Sequence, residues 1–231
     1  MDKYYWWLKR QADRTGLVQC CIDIFKAKRY LEIGLGVKGN CFPEISCYEK
    51  VGVEINPKLI NAQLISKSDN IFYMSSDVFF NQYSKIMRPF DCIFVDGDHS
   101  YEQTKKDIEA SLHMLTPNSV MIAHDATPNL EKDSGCNGVW RALLELKTRP
   151  DVEFAVGDFR ESCVTYVSAN CAVILKSPNT DLMSYEELPK TYKEFKKLQS
   201  QLFRFKTREE LIKWILKTGG IKVKNKQIEV D

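Results

Sequence analysis

The sequence predicts an α/β protein with a doubly wound, mostly parallel sheet that carries helices on both faces. Short apolar segments alternate with amphipathic ones at a spacing of roughly 20–30 residues, which is typical of βαβ units with right-handed crossovers. The apolar segments are nearly continuous, as in strands that are covered on both sides. Polar residues gather where these segments end, and ligands of such sheets bind at the carboxyl ends of the strands. We therefore expect a site at that edge.

The first five strands are predicted from apolar runs that end in acids or turn residues. They lie at residues 29–33, 51–55, 71–74, 92–95 and 120–123. The segments around them have helical patterns at 2–27, 57–66, 101–115 and 138–147. Thr116-Pro117 is expected to end the helix that starts at residue 101.

The pattern changes after residue 150. Short strand-like runs at 152–156, 163–167 and 171–176 predict a terminal antiparallel part of the sheet. Two amphipathic helices are predicted at 192–203 and 209–217, within a tail (185–231) that has 12 Lys/Arg and 7 Asp/Glu. We divide the chain into an N-terminal helical cap (1–28), a central α/β domain (29–178) and a basic helical C-terminal extension (179–231).

Composition excludes several classes of protein. The net charge of the 231-residue chain is +2, which makes a nucleic-acid partner unexpected. No run of about 18 apolar residues predicts a membrane span, and the first ten residues lack the apolar core of a signal peptide. The eight cysteines form no CxxC pair. We interpret them as reduced thiols of a cytoplasmic protein.

A glycine loop follows the first strand. Gly34, Gly36 and Gly39 fit the spacing GxGxxG, which occurs in dinucleotide sites and also by chance in turns. Glu32 distinguishes these alternatives, because a carboxylate where a buried strand emerges needs a cation or hydrogen-bond donors. The amino group of S-adenosylmethionine (SAM) supplies both, whereas the pyrophosphate of a dinucleotide would be repelled. We expect SAM.

Two further acids follow the next strands. Glu54 is expected to accept hydrogen bonds from ribose hydroxyls; the alternative is a solvated loop acid. Asp77 is expected to accept from the adenine amino group, with Val78 against the ring, or else to belong to a helix N-cap.

The segment 96–102, Asp-Gly-Asp-His-Ser-Tyr-Glu, begins at a strand end with two acids, Asp96 and Asp98, followed by His99. A histidine beside a carboxylate suits general-base work near neutral pH, so His99 is a candidate base that removes a hydroxyl proton. The alternative is that Asp98 and Ser100 cap a helix and His99 is a surface residue. Arg141 and Asn137 are weaker candidates for substrate contact, and the aromatic cluster 4–7 packs on a helix or covers the site.

Asp125 ends the fifth strand and is expected to lie near Asp96. Two adjacent carboxylates repel each other unless a proton or a cation lies between them. Oxygen ligands suit Mg²⁺, which would hold substrate oxygens and lower the pKa of the attacking hydroxyl. A structural or SAM-contacting pair is the alternative.

These motifs resemble those of class I SAM-dependent methyltransferases. The matching segments are 32–36, 51–56, 91–102, 123–126 and 138–141, within residues 27–176. Residues 91–102 resemble the branch of sugar and macrolide O-methyltransferases and cephalosporin-hydroxylase-like proteins. The resemblance implies a Rossmann-like sheet of seven strands with an antiparallel last strand. It implies SAM contacts from Glu32, Gly34, Gly36, Glu54 and Asp77.

The same resemblance implies that Asp96 and Asp125 hold a divalent metal and that His99 is the base. His124 is a departure, because the metal-binding branch often has an acid at this position. We predict a SAM-dependent O-methyltransferase that acts on a hydroxyl of a small or glycan-like substrate, with Asp96 orienting the acceptor. The rival predictions are an NAD-dependent oxidoreductase and a non-catalytic SAM-binding module. Monomer and homo-oligomer both stay open.

Overall fold

A computed structural model describes residues 14–36, 41–59, 69–127, 138–157 and 170–221. Its seven strands are β1 (Arg29–Ile33), β2 (Glu49–Val53), β3 (Asn70–Phe72), β4 (Phe90–Val95), β5 (Leu115–Ala123), β6 (Val152–Gly157) and β7 (Cys171–Lys176). They form one sheet in the order β3-β2-β1-β4-β5-β7-β6. Among the described strands, β7 runs antiparallel to both of its neighbours, β5 and β6, and all other pairs are parallel. The predicted doubly wound fold with an antiparallel last strand is therefore confirmed.

Six α-helices lie within the described residues. They are α1 (Arg14–Phe25), α2 (Ser76–Tyr83), α3 (Tyr101–Met114), α4 (Val139–Glu145), α5 (Tyr192–Phe203) and α6 (Arg208–Thr218). Alternating strand residues point to opposite faces of the sheet. One core contains Leu31 and packs against α2–α5, and the other contains Tyr30 and packs against α1 and α6. None of the described helices is long and apolar enough to cross a bilayer.

Several element boundaries differ from the predictions. β2 starts and ends two residues earlier than predicted, because Glu49 pairs with Arg29 across the β1–β2 ladder. β5 starts at Leu115, before Pro117, and its pairing with β4 is irregular between Phe90 and Cys92. Proline cannot donate a ladder hydrogen bond, so it is tolerated at such an irregularity.

The helices also differ in extent from the predictions. α2 is not among the segments with a predicted helical pattern. Ser75 caps its N-terminus by accepting a hydrogen bond from the Val78 N–H. The predicted helix 138–147 is α4 followed by a 3₁₀ turn, Leu146–Thr148. Predicted strand 163–167, the first twelve residues of predicted helix 2–27, and most of 57–66 lie outside the described residues.

The C-terminal extension is part of both cores. Phe195 and Phe203 of α5 are buried beside Trp140 and Phe154. On the other face, Leu211, Ile212 and Ile215 of α6 are buried with α1. The two helices therefore cover opposite faces of the sheet at its β6–β7 end.

Candidate functional site

A cavity of about 440 Å³ opens at the carboxyl ends of β1–β4. Its size falls within the range of small-molecule and cofactor sites, ~300–1,000 Å³. The wall combines apolar side chains with carboxylates, hydroxyls and glycines: Ile33, Gly34, Gly36, Val53, Glu54, Ile55, Met74, Ser75, Ser76, Asp96, Gly97, Asp98, Gln103 and Asp107. Of the predicted cofactor residues, Gly34, Gly36, Glu54 and Asp96 are part of this wall.

Gly34 allows β1 and β4 to approach each other at the cavity. Its φ is +83°, and a Cβ there would lie 2.3 Å from the Asp96 carbonyl oxygen. No other residue fits this position, because both the backbone conformation and the space exclude a side chain. Gly36 also has a positive φ, +60°.

Glu54 joins the glycine loop to the end of β2. Its Oε2 accepts a hydrogen bond from the Gly36 N–H at 2.9 Å, and its Oε1 accepts one from the Asn56 N–H at 2.8 Å. A carboxylate has about four acceptor sites. Glu54 can therefore hold the loop and accept further hydrogen bonds from a ligand in the cavity.

Glu32 is not part of the cavity wall. Its side chain is fully buried, and Oε2 accepts a 2.6 Å hydrogen bond from the Tyr30 hydroxyl. The other oxygen, Oε1, has no partner among the described residues. Burial raises the pKa of Glu32 to about 8, although Tyr30 and Arg14 act in the opposite direction. A buried acceptor without a donor favours a cationic or N–H-bearing ligand nearby.

Asp77 and Val78 lie outside the cavity wall. The Asp77 carboxylate is 45% exposed, 3.1 Å from Lys106 Nζ, and accepts a hydrogen bond from Gln103. Val78 is 40% exposed. The alternative, a helix N-cap in Ser75-Ser76-Asp77, agrees with the structure, since Ser75 is the N-cap and Asp77 lies in the first turn of α2.

Sequence reasoning missed Gln103 and Asp107, which face the cavity from α3. Asp107 is 1% exposed, and burial raises its pKa to about 6. The two residues are one helical turn apart, and Gln103 Nε2 donates to Asp107 Oδ1 at 3.0 Å. The sequence feature that could have identified them is a polar pair four residues apart on the buried face of the helix predicted at 101–115.

A charged cluster adjoins the cavity at the ends of β4 and β5. Asp96 Oδ1 lies 3.1 Å from His124 Nδ1 and 3.4 Å from His99 Nε2, and its Oδ2 lies 3.2 Å from Arg14 Nη1. Burial by itself would raise the pKa of Asp96, but His124, His99 and Arg14 hold it well below its usual value. Asp96 is therefore an anion on which three cationic or basic groups converge.

Asp125 lies close to both histidines, facing the second ring nitrogen of His99 and the same nitrogen of His124 that faces Asp96. Its backbone is left-handed, with φ +50°, a conformation that aspartate tolerates better than most residues. Oδ1 lies 3.4 Å from His124 Nδ1, and Oδ2 lies 3.6 Å from His99 Nδ1. The sequence correctly placed Asp96, His99 and Asp125 together, and it did not anticipate Arg14, which reaches them from α1.

The two histidines differ in exposure. Burial lowers the pKa of His124, but the carboxylates of Asp96 and Asp125 prevail and raise it to about 9. The hydrogen bond to Asp96 raises the pKa of His99, whose side chain is 26% exposed. His99 is therefore the histidine that a substrate can reach.

α4 fixes the backbone that carries His99. The Gly138 N–H donates to the His99 carbonyl oxygen at 2.9 Å, and a Cβ on Gly138 would lie 1.9 Å from the Tyr101 nitrogen. Arg141 stacks on the Tyr101 ring at 4.4 Å. The other minor candidates, Asn137 and residues 4–7, lie outside the described residues.

Donor atoms of Asp96, His124 and Asp125 lie within 4.8 Å of one another, so they can converge on one metal ion. Sequence reasoning had only the two carboxylates as ligands. An imidazole beside two carboxylates suits Mn²⁺, Fe²⁺ or Zn²⁺ better than Mg²⁺. A metal would have to displace the proton of His124, because only the neutral ring is a ligand.

A family model described as a methyltransferase domain matches residues 6–126. Among curated proteins, no sequence relative matches the chain. An O-methyltransferase from Bacillus cereus, solved with S-adenosylhomocysteine (SAH), is 18% identical over 76% of this chain and 91% of its own, with a TM-score of 0.56.

Two further solved structures are similar at the level of the fold. An O-methyltransferase of tomaymycin synthesis from Streptomyces achromogenes, in complex with SAM, is 17% identical over 71% of this chain and 79% of its own, with a TM-score of 0.54. An SAH-bound methyltransferase from Podospora anserina is 16% identical over 76% and 86% of the two chains, with a TM-score of 0.51.

Proposed function

Because the chain belongs to the methyltransferase-domain family, we propose that it transfers the methyl group of SAM to a hydroxyl oxygen of a small or glycan-like substrate. The observation that carries this proposal is the position of Asp96. This residue belongs both to the wall of the cavity and to the charged cluster with His99. A methyl donor in the cavity and an acceptor at the cluster would therefore meet beside one residue.

The residues around the cavity fit SAM. Gly34 and Gly36 expose backbone without side chains in the cavity wall, and the unpartnered Oε1 of Glu32 favours an ammonium group, directly or through water. Glu54 has acceptor capacity for the ribose hydroxyls. SAM supplies an electrophilic methyl carbon on a sulfonium. The protein contributes mainly by aligning the acceptor oxygen with that carbon.

His99 removes the acceptor proton in this proposal. In the neutral ring Nε2 donates a hydrogen bond to Asp96, and Nδ1, which lies 3.6 Å from Asp125 and outside hydrogen-bond range, is the base. Asp96 and Asp125 flank the two nitrogens, and their charge stabilises the imidazolium that forms. Asp96 also orients the acceptor.

Asp96, His124 and Asp125 would hold a divalent cation if one takes part. Such an ion would orient acceptor oxygens and lower the pKa of the hydroxyl. Arg14 and His124 already balance the charge of the two carboxylates. Turnover that survives a chelator unchanged would remove the cation from the proposal.

The experiment combines binding and turnover. Calorimetry with SAM, SAH and NAD should detect the first two ligands and not the third. SAH release is then measured with a panel of sugars, catechols and phenols, each paired with an analogue in which the reactive hydroxyl is replaced by hydrogen. We expect SAH release only with hydroxyl acceptors. Binding of SAM without transfer to any of them would favour the non-catalytic module, and binding of NAD would favour the oxidoreductase.

A further inference from the structure

Asp107 is a buried carboxylate in the cavity wall that the proposed methyl transfer does not use. It is 1% exposed, yet it faces the same cavity as Gly34 and Glu54. Burial raises its pKa to about 6. The protein therefore compensates its charge only in part, and an additional donor would stabilise the ionised form.

The hydrogen bonds that Asp107 makes within the protein leave acceptor sites of its carboxylate unused. Gln103 Nε2 donates to Oδ1 at 3.0 Å, and the Ser76 hydroxyl supplies a second hydrogen bond. A carboxylate has about four acceptor sites. Asp107 thus has room for one or two donors from a ligand.

Asp107 belongs to the cavity wall that a nucleoside held at Glu54 would contact. Glu54, the ribose acceptor of the proposed function, belongs to the same wall, as do the apolar side chains Ile55 and Met74. Beside Asp107 is Gly97, and a Cβ on this glycine would lie 3.5 Å from Asp107 Oδ2. No side chain at position 97 therefore covers the carboxylate.

We propose that Asp107 accepts a hydrogen bond from the exocyclic amino group of adenine and so selects adenine over hypoxanthine. This inference rests on the proposed function, because it assumes that the ligand is SAM. Hypoxanthine has a carbonyl oxygen at the position of that amino group, and two acceptors facing each other repel. Asp77, the acceptor expected from the sequence, is half-exposed and paired with Lys106 outside the cavity wall.

The test measures dissociation constants of SAH and of S-inosyl-homocysteine by calorimetry. The wild-type chain should bind SAH about 10- to 100-fold more tightly, the range for a hydrogen bond to a charged group. In Asp107→Asn the ratio should fall below about threefold, because an amide can donate to the hypoxanthine oxygen as well as accept. Glu109→Gln removes an exposed acid from the same helix and should leave the ratio unchanged.

The outcomes separate the two proposals. If SAH does not bind the wild-type chain, the proposed function itself fails. If SAH and its inosyl analogue bind equally well, adenine selection is overturned while SAM binding stands, and this comparison needs no variant to fold. A ratio that is lost in Asp77→Asn and kept in Asp107→Asn would also overturn the inference, since Asp77 would then read the amino group.

Discussion

At the scale of single residues, the charge of Asp96 organises the candidate site. Arg14, His99 and His124 come from three different elements and converge on this one carboxylate. Sequence reasoning found Asp96, His99 and Asp125, because each follows the end of a predicted strand. It could not find Arg14, because nothing near residue 14 in the sequence shows that α1 brings it to the end of β4.

His99→Gln tests the proposed base. The variant should bind SAM within about twofold of wild type and lose 10²–10⁴-fold in turnover, the usual contribution of general base catalysis. The pKa of His99 is raised, mainly by its hydrogen bond to Asp96. Because the base must be neutral, wild-type turnover should rise with pH through a midpoint above 6.5. Unchanged turnover in the variant would contradict the assignment.

His124 predicts how stability depends on pH. The pKa of His124 is about 9 in the folded chain and about 6.5 when unfolded. The folded state therefore holds the proton more tightly. The contribution of His124 to the free energy of unfolding is complete below pH 6.5 and is lost as the pH rises through 9. The free energy of unfolding should fall by roughly 1–3 kcal/mol over this range. Glu32, whose pKa is about 8, also lowers the free energy of unfolding as the pH rises from 4.5 to 8.

Chemical denaturation at several pH values measures this effect. His124→Gln should reduce the fall between pH 6.5 and 9. His113→Gln, which changes an exposed histidine at the end of α3, should keep the wild-type slope. Equal slopes in wild type and His124→Gln would contradict the charge state that we assign to His124.

At the scale of elements, the contact between α4 and the start of α3 positions His99. Gly138→Ala would place a methyl group against the backbone of Tyr101. We expect a loss of about 1–3 kcal/mol in the free energy of unfolding, as for overpacking, together with lower turnover. Gly97→Ala is the matched control for stability, because its Cβ would meet nothing closer than 3.5 Å. Equal stabilities of the two variants would show that Gly138 is not tightly packed against the backbone of Tyr101.

At the scale of the whole molecule, the described part of the extension, residues 179–221, packs against both faces of the sheet. The sequence predicts a basic helical extension, and its helices α5 and α6 bury Phe195, Leu202, Phe203, Leu211, Ile212 and Ile215. Each buried side chain of this kind contributes about 1.5–3 kcal/mol. Their sum is comparable with the ~5–15 kcal/mol stability of a whole domain.

A chain that ends at residue 178 should therefore lose its cooperative unfolding transition. Differential scanning calorimetry and binding of a hydrophobic dye measure this outcome. Leu198→Ala in the full chain trims an exposed residue of the same extension and should keep the transition. A truncated chain that unfolds cooperatively and still binds SAH would show that residues 1–178 fold without the extension.

The sequence by itself determined the fold class, the edge of the sheet that carries the candidate site, and the proximity of Asp96, His99 and Asp125. These features depend on local patterns, because strand ends are marked by apolar runs followed by acids or glycines. Tertiary structure alone decided the positions of Arg14, Asp107 and the C-terminal helices. Each of these acts on residues far away in the sequence, and only packing of helices on the two faces of the sheet brings the groups together.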